Sequence, residues 1–163
     1  MVVVGIDNGL SGAIARIAGK TAYADPMPTI NVKKRNKVKR FYNIPKIVEI
    51  LKKSKANHVF LEEARAMPKQ GVVSMFNIGR GYGLIEGILA ALEYSYTIVN
   101  PKTWQKTMLD GVGGDTKSAS VIVAKRLFPK VSLLPTERCT KENDGLSDAL
   151  LIAEYGKRQI GAN

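Results

Sequence analysis

The stretch Val2–Asp7, VVVGID, decides the fold, because it is a run of β-branched residues that ends on an acid. It is too short to span a membrane and rich enough in valine and isoleucine to be a buried strand. The glycine-containing turn Asn8–Gly12 and the second apolar stretch Ala13–Ala18 predict a hairpin. A carboxylate at the end of a buried strand costs free energy unless a partner compensates it. Asp7 is therefore either a residue that caps the turn or a metal ligand, and further acids at the same place would favour the ligand.

The charge of the chain points to a polyanionic partner. Its 163 residues suit one α/β domain over residues 1–163, and 25 Lys and Arg against 14 Asp and Glu give a net charge of +11. Such a surface gains affinity by displacing counterions from phosphates. An anionic membrane surface is the alternative, but no basic amphipathic helix with a rich aromatic face is present, so nucleic acid is favoured.

Cysteine usage and the N-terminal sequence predict an intracellular, cytoplasmic protein. Cys139 is the single cysteine and cannot form an internal disulfide, which suits a reducing compartment. The apolar stretch after Met1 ends at Asp7 and follows no basic region, so we expect no signal peptide.

One segment concentrates the positive charge. Six of the eight residues from Lys33 to Arg40 are basic, and they are either a solvated loop or a phosphate-contacting segment. The six candidate DNA contacts are Lys33, Lys34, Arg35, Lys37, Lys39 and Arg40.

Strands and helices alternate along the rest of the chain. After a third short strand at Thr21–Ala24, the pattern predicts a helix from Pro45 to Lys53, a strand at His58–Glu62, a long helix to about Glu93, a strand at Thr97–Val99, helices from Pro101 and over Lys117–Leu127, and a last helix that opens within Lys141–Asp148. A meander followed by this alternation indicates a mixed sheet with helices on both faces.

Glycines recur at one spacing in the long helix. Gly79, Gly83 and Gly87 are four residues apart, and each costs up to about 1 kcal/mol against alanine. We expect the row to allow close packing on the sheet or on a partner subunit. No Walker lysine accompanies it, so it is not a phosphate loop.

Four acids lie at the edges of predicted elements: Asp7, Glu62, Asp144 and Asp148. Glu63 follows Glu62, and strand alternation lets only one of these two face the site of Asp7. The last two acids of the set are four residues apart and share a helix face. Asp144 alone could favour a helix N-terminus, whereas Asp148 is not explained by capping. The single histidine, His58, begins a strand, and we expect a structural role for it rather than that of a general base.

Phosphodiester hydrolysis explains the four acids together. Converging carboxylates bind Mg²⁺ or Mn²⁺, and two such ions about 3.5–4 Å apart can hold both the attacking water and the leaving oxygen. The ions also neutralise charge that would otherwise protonate clustered carboxylates.

Three segments together resemble one known family. Gly5–Gly9, Leu61–Glu63 and Asp144–Leu150 are similar to the RuvC-type Holliday junction resolvases of the ribonuclease H-like superfamily, and the end of the chain is most similar to the phage-encoded branch. The resemblance implies a mixed five-stranded sheet and a homodimer that nicks two opposed strands of a four-way junction, with two Mg²⁺ or Mn²⁺ ions in each active site. A phage enzyme would act in the host cytoplasm.

The resemblance also assigns residue roles. Asp7, Glu62, Asp144 and Asp148 would be the metal ligands, and the glycine-containing helix would contribute to the dimer interface. Lys106 and Lys117, on either side of a Gly-x-Gly loop, would contact DNA or support the scissile phosphate. Further candidate DNA contacts are Lys69, Arg80 and Lys141. The aromatics Phe76 and Tyr82 are the best placed to stack at a junction centre, and core packing is the alternative for Phe76. Two departures stand out: bacterial members usually have proline where this chain has Asn8, and their last acid pair is three residues apart rather than four.

Three alternatives differ in testable ways. An ATP-binding fold of the actin and sugar-kinase type opens with a similar strand, acid and glycine-rich turn, but normally needs two lobes in a far longer chain. A catalytically silent junction-binding module would not need to hold so many buried acids. A ribonuclease H-like enzyme would cut RNA–DNA hybrids.

Overall fold

The computed structural model describes residues 1–34, 37–65 and 70–162. The predictions made for Arg35, for Lys69 and for the side chain of Lys34 lie outside what it describes. The strands are β1 (Val2–Asp7), β2 (Ala13–Ala18), β3 (Thr21–Pro26), β4 (Thr29–Lys34), β5 (Lys37–Tyr42), β6 (His58–Glu62) and β7 (Tyr96–Val99), and the helices are α1 (Ile44–Ser54), α2 (Val72–Ala91), α3 (Pro101–Met108), α4 (Thr116–Leu127) and α5 (Asp144–Gly161).

The central sheet has the strand order β3-β2-β1-β6-β7. The pairs β3–β2 and β2–β1 are antiparallel, and β1–β6 and β6–β7 are parallel. This confirms the predicted mixed five-stranded sheet and the opening hairpin. The residues of β1 from Val3 to Ile6 are buried, as expected for a strand with neighbours on both sides.

Helices cover both faces of the sheet. Val4 and Ile6 of β1 pack in a core with α1 and α2, whereas Val3 packs in a second core with α3, α4 and α5. Gly5 faces α5, and a Cβ built there would overlap the backbone of Ala149 and Ala153. The glycine therefore lets α5 lie directly against β1, and this contact determines where the acids of α5 stand.

The basic segment forms a separate two-stranded sheet, β4–β5, in which Thr29 pairs with Tyr42 and Lys34 with Lys37. The described residues of this segment therefore lie on exposed strands rather than in a loop, and phosphate contact by them stays a prediction. Polar and apolar residues alternate from Thr29 to Lys33, which is the pattern of a half-exposed strand. The high density of lysine concealed this pattern, because charge runs usually indicate loops.

Two helix boundaries refine the sequence analysis. Helix α2 begins at Val72, so Phe76 lies on a helix and is exposed, while Tyr82 is partly buried and packs with the core beneath α2. Helix α5 begins at Asp144, with Asn143 as its N-cap. No helix in residues 1–34, 37–65 and 70–162 is long and apolar enough to cross a membrane.

Candidate active site

Two strand ends place the first two acids side by side. Ile6 of β1 pairs with Leu61 of the parallel strand β6, and the acids Asp7 and Glu62 follow directly. Because side chains alternate along a strand, both acids share the face of Gly5 and Phe60, which is covered by α5.

Glu63 points away from this site. It forms an ion pair with Arg65 at 2.7 Å and lies near the Asn100 side chain, at 3.4 Å. Of the two adjacent acids at the end of β6, Glu62 is therefore the one that faces Asp7, as strand alternation and the resemblance favoured.

The start of α5 brings the other two acids to the same end of the sheet. The Asn143 side chain caps the helix by accepting a hydrogen bond from the Leu146 amide at 3.1 Å. A Cβ on Gly145 would overlap the backbone at Ser11 and Gly12, so the helix start packs directly on the turn after Asp7. One helical turn then separates Asp144 from Asp148 on the side that faces this turn.

Two acids accept hydrogen bonds from buried side chains. Trp104 of α3 donates its indole N–H to Glu62 Oε1 at 2.8 Å. Ser120 of α4 is fully buried and donates to Asp148 Oδ1, and it also lies 3.0 Å from Ser147 Oγ. These contacts orient both carboxylates, and sequence analysis did not identify Trp104 or Ser120.

The other two acids have different partners. Asp7 Oδ1 accepts a hydrogen bond from the Gly9 amide at 3.1 Å within the turn. Asp144 forms an ion pair with Lys117 of α4, with 2.7 Å between Nζ and Oδ2. Lys117, assigned to the reacting phosphate by resemblance, therefore lies at the acid site, and its ammonium group lowers the pKa of Asp144.

Burial and repulsion between carboxylates both raise the pKa values of the remaining three acids, Glu62, Asp148 and Asp7. Burial is the largest cause, and the charge of Asp7 adds to it, in raising the pKa of Glu62 to about 7. Burial likewise raises the pKa of Asp148 to about 7, with the charges of Asp7 and Asp144 adding to the effect. The pKa of Asp7 is also raised, mainly by burial and further by Asp144. The neighbouring protein groups therefore do not fully offset the negative charge of these carboxylates.

Carboxylates are suitable ligands for a divalent cation, but in this structure they lie too far apart to bind one ion together. Among the described residues, no three His, Cys, Asp or Glu side chains are close enough to hold one ion as they stand. Carboxylate oxygens are the preferred ligands of Mg²⁺ and Mn²⁺, and a cation would relieve the repulsion that raises the pKa values. Binding would require rotation of carboxylates from their present hydrogen-bond partners.

Asn8 connects the two strand ends that carry Asp7 and Glu62. Its side-chain amide donates to the Glu62 carbonyl at 2.9 Å, and its own carbonyl accepts from the Tyr42 hydroxyl of β5 at 2.6 Å. Proline has no side-chain amide and could not make this contact. Asn8, which stands where bacterial resolvases usually have proline, therefore has a structural role. Gly81 of α2 leaves room for Tyr42, because a Cβ there would overlap the phenol.

If the acid cluster hydrolyses phosphodiesters, as the sequence predicts, Tyr42→Phe should slow DNA cleavage about tenfold and raise the metal-ion concentration needed for half-maximal rate. The change removes the hydrogen bond that holds the backbone next to Asp7 and leaves the ring in place. Single-turnover rates against Mg²⁺ concentration measure both effects. Tyr23→Phe is the matched control on the exposed edge strand β3, and equal behaviour of the two variants would contradict a positioning role for Tyr42.

Under the same hypothesis of phosphodiester hydrolysis, Lys117→Met should lower the cleavage rate about tenfold to a hundredfold, because the ammonium group that pairs with Asp144 is lost. Lys117 is 77% exposed, so the substitution should change the free energy of unfolding little. Lys125→Met is the control, since Lys125 lies on the same helix, is 57% exposed and pairs with Glu142. Equal losses of rate in the two variants would indicate a general charge effect instead.

The remaining predicted residues lie outside the acid cluster. His58 begins β6, at the end opposite Glu62, and its Nε2 lies 2.8 Å from the Thr97 hydroxyl, which agrees with a structural role. Lys106 is exposed on α3. The other exposed candidate DNA contacts are Lys33, Lys37, Lys39, Arg40, Arg80 and Lys141.

The sheet order, the helices on both faces and the acids at one end of β1, β6 and α5 define a ribonuclease H-like α/β fold.

Comparison with solved structures finds proteins with a similar fold. T. thermophilus RuvC in complex with a Holliday junction substrate is similar to this chain with a TM-score of 0.61 and 15% identity, over 98% of this chain and 96% of the other. A second Thermus thermophilus RuvC structure has a TM-score of 0.59 and 17% identity, over the same shares of the two chains.

A yeast protein is similar over less of its length. The yeast mitochondrial Holliday junction resolvase Ydc2 has a TM-score of 0.50 and 14% identity, over 96% of this chain and 77% of its own. No protein-family model and no curated protein sequence matches the chain. At these identities the similarities establish the fold, and they confirm the fold that the resemblance implied.

Proposed function

We propose that this protein is a metal-dependent DNA endonuclease that resolves Holliday junctions and other branched DNA by paired nicks. The observation that carries the proposal is the convergence of Asp7 and Glu62 with the acids of α5 at one end of the sheet. The likeness of the fold to RuvC and Ydc2 supports a junction as the substrate. A net charge of +11 around an acidic centre suits a polyanionic substrate that reacts at a metal site.

In this proposal each residue of the site has a defined task. Asp7, Glu62 and Asp148 would hold Mg²⁺ or Mn²⁺, with Asp144 as the fourth ligand, and the ions would activate water and neutralise charge on the phosphate. Trp104 and Ser120 orient two of the carboxylates.

Lys117 supports the scissile phosphate beside Asp144. Water attacks the phosphorus in line with its bond to the 3′ oxygen, and that bond breaks, so the products carry a 5′-phosphate and a 3′-hydroxyl. The chain itself orients the carboxylates and places the ammonium group of Lys117 beside the phosphate.

The basic hairpin β4–β5 is the proposed arm for the DNA backbone. Two contacts fix it beside the site: Arg40 donates to the Leu10 carbonyl and Tyr42 to Asn8. Lys33, Lys37 and Lys39 of the hairpin are exposed, and phosphate contacts from such residues provide affinity without reading sequence.

The glycine row supports a homodimer. Apart from chain neighbours and the backbone of their own helix, no atom of the described structure lies within 4 Å of a Cβ built on Gly79, Gly83 or Gly87, so the row does not pack on the sheet. The sequence offered packing on the sheet or packing on a partner subunit, and the open row favours the partner subunit. Each subunit of the dimer would then carry one active site. Sedimentation of the parent protein and of a Gly83→Leu variant measures this, since the bulky side chain should shift a dimer towards monomer.

Cleavage of four substrates tests the proposed function. A four-way junction, a flap, a linear duplex and an RNA–DNA hybrid are each incubated with Mg²⁺, Mn²⁺ or EDTA. The proposal expects paired nicks in the junction with either metal ion and none in EDTA. Cleavage of the hybrid alone would indicate a ribonuclease H-like enzyme, and binding without any cleavage would indicate a silent binding module.

A further inference from the structure

The hairpin β4–β5 is a narrow two-stranded sheet with a fixed base. Each strand has 6 residues, which gives the hairpin a length of about 20 Å. At its base, the Asn43 amide donates to the Pro28 carbonyl at 2.8 Å. Arg40 and Tyr42 donate to carbonyls of the turn that follows Asp7. The direction of the hairpin is therefore set relative to the acid-bearing turn.

The outer part of the hairpin is cationic and exposed. No acid occurs between Thr29 and Tyr42 in the sequence. Residues 37–40 of β5 are exposed on both faces of the hairpin, and among the described residues β4 and β5 pair only with each other. An isolated two-stranded hairpin is marginally stable in water, and here repulsion between lysines adds to that cost. A polyanion that contacts both faces would remove the repulsion.

An apolar side chain lies within this cationic surface. Val38 is 66% exposed. It pairs with Lys33, and Asn31 pairs with Arg40 two residues nearer the base, so strand alternation places all four side chains on one face. This face fits a partner that presents charged and apolar groups close together.

The major groove of duplex DNA has that combination and the matching width. It is about 12 Å wide and admits a two-stranded β-ribbon, whose strands are about 4.8 Å apart, whereas the minor groove is only about 6 Å wide. Phosphates form both walls of the groove. The C5-methyl group of thymine is the apolar group among the base edges on its floor.

We propose that the hairpin β4–β5 lies in the major groove of one arm of the DNA junction, with Val38 against the base edges. The proposal rests on the proposed function and specifies how its DNA arm is held. Lys33, Lys37 and Lys39 contact the phosphates on the two walls, which positions the DNA, and the base-edge contact adds a preference for sequence.

The register indicates which bases the hairpin meets. Arg40 is bonded to the turn next to Asp7, and Val38 is two residues further along β5, which is about 7 Å. The base pair that contacts Val38 therefore lies within a few steps of the phosphate at the acid site. A thymine at this position is favoured, because its methyl group packs on the valine.

Binding to junctions with one groove filled tests the placement. Every protein carries Asp7→Asn so that the DNA stays intact. One junction carries glucosylated 5-hydroxymethylcytosine in its arms, which fills the major groove, and another carries benzyl groups on guanine N2, which fill the minor groove. Glucosylation should raise the dissociation constant at least about tenfold, and N2-benzylation should change it less than about twofold. Equal affinity for the glucosylated and the plain junction would overturn the proposal.

A double-mutant cycle tests the contact of Val38. Thymines along one arm are replaced singly by uracil, which removes only the methyl group. At one position the replacement should raise the dissociation constant about fourfold, as expected for one buried methyl group, and Val38→Ala should abolish this difference. Equal losses with and without Val38→Ala at every position would overturn the base contact.

Two lysine variants separate groove binding from general charge. Lys33→Met should weaken binding to every junction alike and lower the dependence of log Kd on log salt concentration by about one contact. Lys20→Met is the control, since Lys20 is exposed on the turn between β2 and β3, at the end of the sheet opposite Asp7. An equal change in salt dependence for the two variants would contradict a wall contact by Lys33.

The two proposals fail in different ways. Junction cleavage by the parent protein with no effect of glucosylation would retain the nuclease and reject the groove contact, leaving the lysines to protect the open strand edges. Binding that is sensitive to glucosylation, without cleavage by the parent protein, would retain the groove contact and reject the nuclease.

Discussion

Asp7→Asn should reduce the rate of junction cleavage by at least about a hundredfold while leaving junction binding intact. The substitution keeps the shape of the side chain and its contact with the Gly9 amide but removes the negative charge between Glu62 and Asp148. Loss of a single electrostatic group at a reacting centre typically costs about 10²–10³-fold in rate. Single-turnover cleavage of a labelled four-way junction and a binding assay on the same junction measure the two quantities.

Asp25→Asn is the matched control for that experiment. Asp25 lies on the edge strand β3, is exposed, and its loss changes the net charge by the same amount. Parental rates are expected for this variant. If Asp7→Asn also cleaves at the parental rate, the acid cluster is not the reacting centre.

Without divalent metal, the protein should become less stable as the pH rises from 5 to 8. The pKa values of Glu62 and Asp148 are raised to about 7 by burial and neighbouring charge, so the folded state binds protons more tightly than the unfolded state does. Stabilisation from these groups is therefore complete below pH 4 and is lost as the pH passes through about 7. We expect a loss on the order of 3 kcal/mol, or several degrees in Tm, in EDTA.

Addition of Mn²⁺ at pH 8 should restore the lost stability, because a cation bound to the folded state alone offsets the repulsion. Glu62→Gln should flatten the pH dependence of Tm in EDTA. This variant isolates the acids from His58, whose lowered pKa acts in the opposite direction. A parent protein that gains stability between pH 5 and 8 in EDTA would contradict the account of the acid cluster.

The sequence predicted the parts of the site that depend on strand ends. Apolar runs that end on acids indicated β1 and β6. Alternation allowed only one of Glu62 and Glu63 to face Asp7, and the resemblance favoured Glu62. The parallel pairing that places the two acids together then follows from the alternation of strands and helices.

Contacts between distant segments could not be predicted in this way. Trp104 lies 42 residues from Glu62 and Ser120 lies 28 residues from Asp148, and no local pattern marks either as a partner of an acid. The role of Asn8 depends on the hairpin β4–β5, which the sequence analysis interpreted as a charged segment. Packing of α5 on Gly5 is likewise a consequence of the tertiary fold rather than of any motif.

Binding of Mn²⁺ to the metal-free protein tests the central claim most directly, since the four acids must hold a divalent cation if they form a nuclease site. Isothermal titration is carried out at pH 8 on the parent protein, on Asp7→Asn and on the Asp25→Asn control. We predict saturable binding to the parent and the control, and a loss of affinity of at least tenfold in Asp7→Asn. Equal binding by all three proteins, or no saturable binding by the parent, would contradict the account.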